Sequence, residues 1–208
     1  MVIASTVTSQ QSIQDSRFKT AGWFSIFGGI LIYPALIIAF LAMSQNTLKP
    51  LLFIEIPLTV VGVVLGTYIL TQFKRLLNER FDIHNLNTII TALIVSNIVV
   101  GVKDIIVTII IVMSPNADFA SSLDAILGIS GLLLIGIIGI ILGVCLLRIH
   151  DESYGLLRIY AIILIIASSC LVSIILFPIG ILLHLSNGVI LGIIFLKAAE
   201  TDVQVEFV

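Results

Sequence analysis

Polar residues within otherwise apolar segments are the first candidates for chemistry. They are Glu55, Asn97, Lys103, Asp104 and Thr108. Asn97, Gly101, Asp104 and Thr108 are spaced by 4, 3 and 4 residues, which places them on one face of a helix. Charged groups inside a bilayer are costly unless they are paired or hydrated. The set therefore predicts an ion or proton site. The alternatives are a structural ion pair between Lys103 and Asp104, or a helix whose end lies nearer Lys103 than the apolar segment indicates.

Two hydrophilic segments each combine a histidine with carboxylates. They are Lys74–Asn85, with His84, and Arg148–Tyr154, with His150. Such residues can bind divalent metals or exchange protons, but neither spacing matches a metal motif, and we predict no metal site. In the first segment Leu76, Leu77 and Phe81 indicate a short interfacial helix with its basic residues at the lipid headgroups.

Other catalytic patterns are missing from the sequence. It contains no G-x-S-x-G, no H-E-x-x-H, no phosphate loop and no pair of intramembrane histidines suited to haem. A third histidine, His184, could join the site around Asp104, although a satisfied interfacial histidine is the simpler interpretation. We therefore predict a non-enzymatic protein without a cofactor.

The composition is that of a membrane protein. Hydrophobic residues make up 59% of the 208 residues and charged residues 11%, whereas soluble domains carry about a quarter charged residues. So large an apolar excess cannot be buried in one small core. The net charge of −2 and the scattered basic residues exclude a nucleic-acid interface.

Six apolar segments have the length of a membrane-spanning helix, which is about 20 residues. Lipid admits no open sheet edge, so each is predicted to be helical. Pro178 separates the last two, since proline removes a helix donor and disfavours helix for the residue before it. The predicted spans are Ala21–Met43, Leu52–Leu70, Thr88–Met113, Leu123–Ile149, Leu156–Phe177 and Ile179–Lys197.

Loop charges predict the orientation of these six helices. If the N-terminus is cytoplasmic, eight basic residues fall on that side and only Lys49 on the other; the eight are Arg17, Lys19, Lys74, Arg75, Arg80, Arg148, Arg158 and Lys197. We predict three antiparallel helical hairpins in the plasma or bacterial inner membrane. Residues 1–20 and 199–208 are expected to be cytoplasmic tails that flank one transmembrane domain, residues 21–198.

A five-residue segment with glycine at both ends, here called the glycine phrase, occurs three times, always late in the second helix of a predicted hairpin. It pairs Gly62 with Gly66, Gly139 with Gly143 and Gly188 with Gly192. Small residues four apart let helix backbones approach closely in lipid. The fourth span extends this pattern into a groove of five glycines within one arc of about 140°. These are Gly128, Gly131, Gly136, Gly139 and Gly143. A degenerate repeat of three hairpins is one interpretation, and compositional coincidence is the other.

Two functions are compatible with these features. The favoured one is a non-enzymatic membrane protein that acts through helix association, either with itself or as a small subunit of a membrane complex. The alternative is a small ion- or proton-coupled transporter or channel that uses the polar stripe of the third span.

Overall fold

The computed structural model describes residues 16–30, 49–113, 117–149 and 155–200. These parts of the chain form six α-helices and one 3₁₀ turn. The helices are α1 (residues 16–30), α2 (Lys49–Arg80), α3 (Asn87–Met113), α4 (Ala117–Leu147), α5 (Gly155–Val172) and α6 (Phe177–Glu200).

Five of these helices are long and apolar enough to cross a membrane, as a helical membrane protein requires. The qualifying stretches are Ile56–Arg80, Asn87–Ile111, Ile126–Leu147, Gly155–Val172 and Pro178–Glu200. The second part of the predicted first span lies outside the described residues, as do residues 1–15 and 201–208 of the predicted tails. Residues 16–20, which the sequence assigned to the N-terminal tail, belong to α1, and Phe18 is buried there.

The prediction of a short interfacial helix after the second span was wrong. Helix α2 continues without a break to Arg80, and Leu76 and Leu77 are fully buried because other helices of the bundle cover them. The helix ends with Asp82 in the left-handed conformation, at φ 51°, and the Ile83 N–H donates to the Leu77 carbonyl oxygen at 3.0 Å. A residue in the left-handed conformation just past the last helical turn is a common end of a helix.

The break between the last two spans falls slightly before Pro178. Helix α5 ends at Val172, the 3₁₀ turn covers Ile174–Leu176, and α6 begins at Phe177. Pro178 thus lies in the first turn of α6, where a backbone N–H has no helical partner to lose.

The helices close into a ring. Contacts join α2 to α3, α3 to α4, α4 to α5 and α5 to α6. The Ser25 hydroxyl of α1 donates to the Gly188 carbonyl oxygen of α6 at 2.8 Å, while the rings of Phe24 in α1 and Tyr68 in α2 meet edge to face at 5.7 Å. A ring of helices leaves a central space, which is either packed with side chains or open as a cavity.

One end of the ring is tightly packed. Aromatic rings from four helices meet there: Phe18 of α1 lies 6.3 Å from Phe195 of α6, and Phe73 of α2 lies 5.6 Å from Tyr160 of α5 and 6.5 Å from Phe195. All four are at most 5% exposed. We call these four residues the aromatic cluster. It joins helix ends that carry most of the basic residues, including Lys74, Arg158 and Lys197, and we call this end of the bundle the basic end.

Candidate ligand cavity at the centre of the bundle

The polar stripe of α3 does not form one site. The Asn97 amide nitrogen donates to the Val63 carbonyl oxygen at 3.1 Å and to the Thr67 hydroxyl at 3.2 Å, both on α2. Asp104 instead forms an ion pair with Lys103, its neighbour in the chain. Asn97 therefore connects two helices, whereas Asp104 is paired within its own helix.

The other members of the predicted ion site are also separated. Thr108 is buried, 7% exposed, and the Glu55 side chain lies outside the described residues. The Asp104 side chain is 40% exposed and that of Lys103 18%. Among the described residues of the polar stripe, only Asn97 lines the central cavity, and His184, the histidine that could join the predicted site, lines it as well.

The centre of the ring is a partly enclosed cavity of about 400 Å³. All six helices contribute to its wall, at positions well inside each helix. The polar lining residues are Ser25, Asn97, Tyr160, Ser168, His184 and Asn187. The volume lies within the range of about 300–1,000 Å³ that is usual for small-molecule sites.

Three of these polar residues have buried atoms without a hydrogen-bond partner. They are the Ser168 hydroxyl oxygen, His184 Nε2 and both amide atoms of Asn187. Ser168 is 1% exposed and Asn187 4%. Buried polar atoms are nearly always hydrogen-bonded. These atoms have almost no accessible surface, so they pack against the surrounding helices and not against the open space of the cavity.

The remainder of the cavity wall is apolar. Leucine and isoleucine side chains from α2 to α6 dominate it, among them Leu65, Leu93, Ile135, Leu164 and Leu191. Among the described residues, none of the lining side chains is Asp, Glu, Lys or Arg. Apolar walls with a few convergent polar groups are typical of sites for small organic molecules.

The cavity is closed toward the basic end. Tyr160 belongs both to its wall and to the aromatic cluster, and Phe73 and Phe195 lie directly behind it. In contrast, Val61 is 48% exposed although it lines the same cavity, and the neighbouring lining residue Gly62 is also exposed. Both residues lie in the stretch of α2 that is long and apolar enough to span a membrane, Ile56–Arg80, where exposed apolar surface is expected to face lipid.

The predicted packing glycines contact neighbouring helices of the same chain. A methyl group placed on Gly143 would lie 3.0 Å from the Ala161 carbonyl oxygen of α5, and one on Gly192 would lie 2.8 Å from the Gly22 carbonyl oxygen of α1. Gly136 and Gly139 also face α5, Gly188 faces α1, and Gly66 faces Asn97 of α3. Each phrase thus contacts the next helix around the ring.

Three glycines, Gly62, Gly128 and Gly131, differ from this pattern. A methyl group on Gly62 or on Gly128 would have nothing within 4 Å. Gly131 faces Val100 of α3 rather than α5, so the five glycines of α4 do not form one groove against one partner. Gly62 lines the central cavity and Gly128 does not.

The described histidine segment lies on the surface. His84 contacts Asp82 at 3.2 Å and Asn78 at 3.1 Å, and the side chains of His84 and Asp82 are 64% and 94% exposed. No group of three or more His, Cys, Asp or Glu that could hold a metal occurs among the described residues. Residues 150–154, with His150, lie outside them.

The sequence analysis did not single out Ser168 or Asn187, two of the three cavity residues with unpartnered atoms. His184 and Asn187 are three residues apart, hence on one face of α6, and Ser168 is a polar residue inside an apolar helix. These positions are visible in the sequence, but only the packing of α5 against α6 brings them to one cavity.

Comparisons with protein-family models, with curated proteins and with solved structures find no match to this chain.

Proposed function

We propose that this chain is a multi-pass membrane protein that binds a small molecule in its central cavity, as a transporter does. The supporting observation is the cavity of about 400 Å³ inside the ring of helices, whose wall is mostly apolar and includes a few polar residues. Apolar cavities of this size with a few polar residues are typical of sites for small organic molecules.

The asymmetry of the cavity supports the same proposal. A carrier must close its site to one side at a time, and the aromatic cluster closes the cavity at the basic end. With the predicted orientation, the basic end is cytoplasmic, so this conformation would be closed to the cytoplasm. The site proposed here is the cavity and not the Lys103–Asp104 pair.

Association with another membrane protein or with a second copy is our second proposal. Its main argument was the glycine phrases, whose close contacts are made within the chain by α3, α5 and α1. Those contacts within the chain account for most of these glycines, Gly62 and Gly128 excepted, so a partner protein is not needed to explain the others. We therefore rank small-molecule binding first, with the bilayer as the protein's environment and the plasma or bacterial inner membrane as its location.

Two matched glycine variants test whether the cavity is occupied. Gly62→Leu adds a side chain at the cavity wall where nothing obstructs it, and Gly128→Leu makes the same change outside the cavity. The protein is purified gently and analysed by native mass spectrometry for bound small molecules. We expect an adduct on the wild type and on Gly128→Leu, and its loss from Gly62→Leu. An adduct equally abundant on all three proteins, or absent from all, would contradict the proposal.

A further inference from the structure

Five of the six polar residues in the wall of the central cavity direct polar atoms into the surrounding protein. The Ser25 hydroxyl and the Asn97 amide nitrogen donate hydrogen bonds to neighbouring helices. The unpartnered atoms of Ser168, His184 and Asn187 have almost no accessible surface. The surface that borders the open space is accordingly mostly apolar.

Neither water nor an ion suits this surface. A buried water needs about two to four polar partners, and an ion needs a counter-charge in exchange for its hydration. None of the described lining residues is Asp, Glu, Lys or Arg. An empty cavity of about 400 Å³ would in turn lose the dispersion contacts of the atoms around it. Apolar cavities of this kind exclude water and take up apolar molecules.

The cavity is long and runs parallel to the helices. On α2 its lining extends from Leu58 to Leu70, which spans about 18 Å of helix, and on α5 it extends from Tyr160 to Ser168, about 12 Å. A volume of about 400 Å³ spread over such a length makes a narrow space. A narrow apolar space of this length has the shape of a linear hydrocarbon chain.

Lipid is the medium next to this cavity. Val61 and Gly62 line it, and both are exposed within the stretch of α2 that can span a membrane. They lie about 18–20 Å along the helix from Lys74 at the basic end. That distance is a little past the middle of a hydrocarbon core of about 30 Å, the depth at which the ends of lipid acyl chains meet.

Helices α1 and α2 leave room between them beside the cavity. Among the described residues, a methyl group on Gly62 of α2 would have nothing within 4 Å, and one on Gly28 of α1 would meet Ile69 Cδ1 at 3.9 Å. Both glycines line the cavity. Helix α1 contacts α6 much more closely, since a methyl group on Gly22 would lie 3.0 Å from the Gly192 carbonyl oxygen. The side between α1 and α2 is therefore where a chain from the bilayer meets least resistance.

Building on the proposed binding function, we infer that the cavity takes one acyl chain of a bilayer lipid, which enters methyl end first between α1 and α2. The end of the chain lies against Tyr160 and the aromatic cluster, and the headgroup stays outside the apolar space. A membrane lipid is then the class of molecule that this protein binds.

Photocrosslinking with two phosphatidylcholines tests this inference. One carries a diazirine near the methyl end of an acyl chain, and the other carries it beside the carbonyl group. Each is incorporated into nanodiscs with the full chain and illuminated, and peptide mass spectrometry locates the crosslinked residues. Leu164 is 6% exposed and lines the cavity. As a share of the total labelling by each probe, we expect the methyl-end probe to label Leu164 at least tenfold more than the carbonyl probe does.

A matched pair of tryptophan variants shows whether the label comes from inside the ring. Leu65→Trp enlarges a side chain that lines the cavity, and Val64→Trp enlarges its neighbour, which is 61% exposed and does not line it. Leu65→Trp should reduce methyl-end labelling of Leu164 at least tenfold. It should leave labelling of Ile162 unchanged, because Ile162 is 42% exposed and outside the cavity. Val64→Trp should change neither. Thermal unfolding checks that both variants fold, and Leu65→Phe replaces Leu65→Trp if the latter does not.

The outcomes separate this inference from the proposal on which it rests. If Ile162 is labelled but Leu164 is not, or if Leu164 is labelled equally in Leu65→Trp, no acyl chain occupies the cavity and the inference is wrong. Equal labelling of Leu164 by both probes would contradict entry by the methyl end. Native mass spectrometry of the wild type, Gly62→Leu and Gly128→Leu decides the binding function separately. A non-lipid adduct lost from Gly62→Leu would keep that function and overturn the lipid chain as the occupant.

Discussion

The Asn97 side chain of α3 donates a hydrogen bond to the Val63 carbonyl oxygen of α2 at 3.1 Å. Its amide nitrogen also reaches the Thr67 hydroxyl at 3.2 Å, and the side chain lies beside Gly66, where a larger residue would leave less room. Asn97, which the sequence predicted to belong to an ion site, thus joins α3 to α2 by hydrogen bonds beside the cavity.

Replacing Asn97 should therefore lower stability. Interhelical hydrogen bonds in membrane proteins are worth about 0.6 kcal/mol on average and up to about 1.7 kcal/mol. We expect Asn97→Ala to reduce the free energy of unfolding by about 1 kcal/mol in a detergent denaturation titration. Ser130→Ala is the control, since the exposed Ser130 hydroxyl bonds only to Leu127 of its own helix. Equal stability of the two variants would show that the Asn97 bonds contribute nothing.

A larger loss of stability is expected when the glycine contact between α6 and α1 is disturbed. A Cβ on Gly192 would lie 2.5 Å from Ile26 Cγ1 and 2.8 Å from the Gly22 carbonyl oxygen, and the backbone atom cannot move aside cheaply. Gly192→Ala should cost about 1–3 kcal/mol of stability, as overpacking does. Gly128→Ala, with nothing within 4 Å, should cost nothing. Thermal unfolding of the two variants in one detergent compares them directly, and the expectation fails if Gly192→Ala unfolds at the wild-type temperature.

The existence of the described helices was predictable, because long apolar runs leave few alternatives in a bilayer. The prediction for the third span, Thr88–Met113, differs from α3 by one residue at its start. At the end of α2 the sequence was less informative. Leu76 and Leu77 are equally compatible with a membrane surface and with the bundle core, and only the helices that cover them decide between the two.

The site was harder to predict than the helices. Asp104 was predicted to belong to an ion site because a carboxylate in an apolar segment is costly, but its partner is the adjacent Lys103. Asn187 and Ser168 carry no charge and are ordinary in sequence. Their importance comes from the absence of partners, which depends on the packing of whole helices and cannot be deduced from the spacing of residues in one helix.

The aromatic cluster should be a major source of stability at the basic end. Phe195 is fully buried against Phe18 and Phe73. Lipid chains are as apolar as the core, so Phe195→Ala loses mainly packing, and we expect a cost near the lower limit for such truncations, about 3 kcal/mol. Trp23→Ala is the matched control, because Trp23 is 48% exposed and should cost far less. Chemical unfolding of both variants measures the difference, which should be at least about 1 kcal/mol.

Topology can be tested with single cysteines at Ser5, Asn46, Ser153 and Thr201, in a chain whose native Cys145 and Cys170 are replaced by alanine. If both termini are cytoplasmic and six helices span the membrane, an impermeant thiol reagent applied to intact cells should label only the Asn46 site. Permeabilised cells provide the control for reactivity of the other three. Labelling at Thr201 but not at Ser5 would mean an odd number of spans.

Variants of the Lys103–Asp104 pair test whether the pair has a structural role or a role in transport. Asp104→Asn alone leaves Lys103 without its carboxylate neighbour, and removing one member of a fully buried pair costs about 3–5 kcal/mol. Because the Asp104 side chain is 40% exposed, we expect a smaller loss. Adding Lys103→Met should restore much of the stability, since the uncompensated charge is then gone.

The same double variant also tests whether the pair belongs to the binding site. Neither residue lines the cavity, so Lys103→Met with Asp104→Asn should keep the small-molecule adduct that native mass spectrometry is expected to detect on the wild type. A double variant that is stable but has lost this adduct would place the pair in the functional machinery, and the ion-coupled mechanism predicted for the polar stripe would then be preferred to a site confined to the cavity.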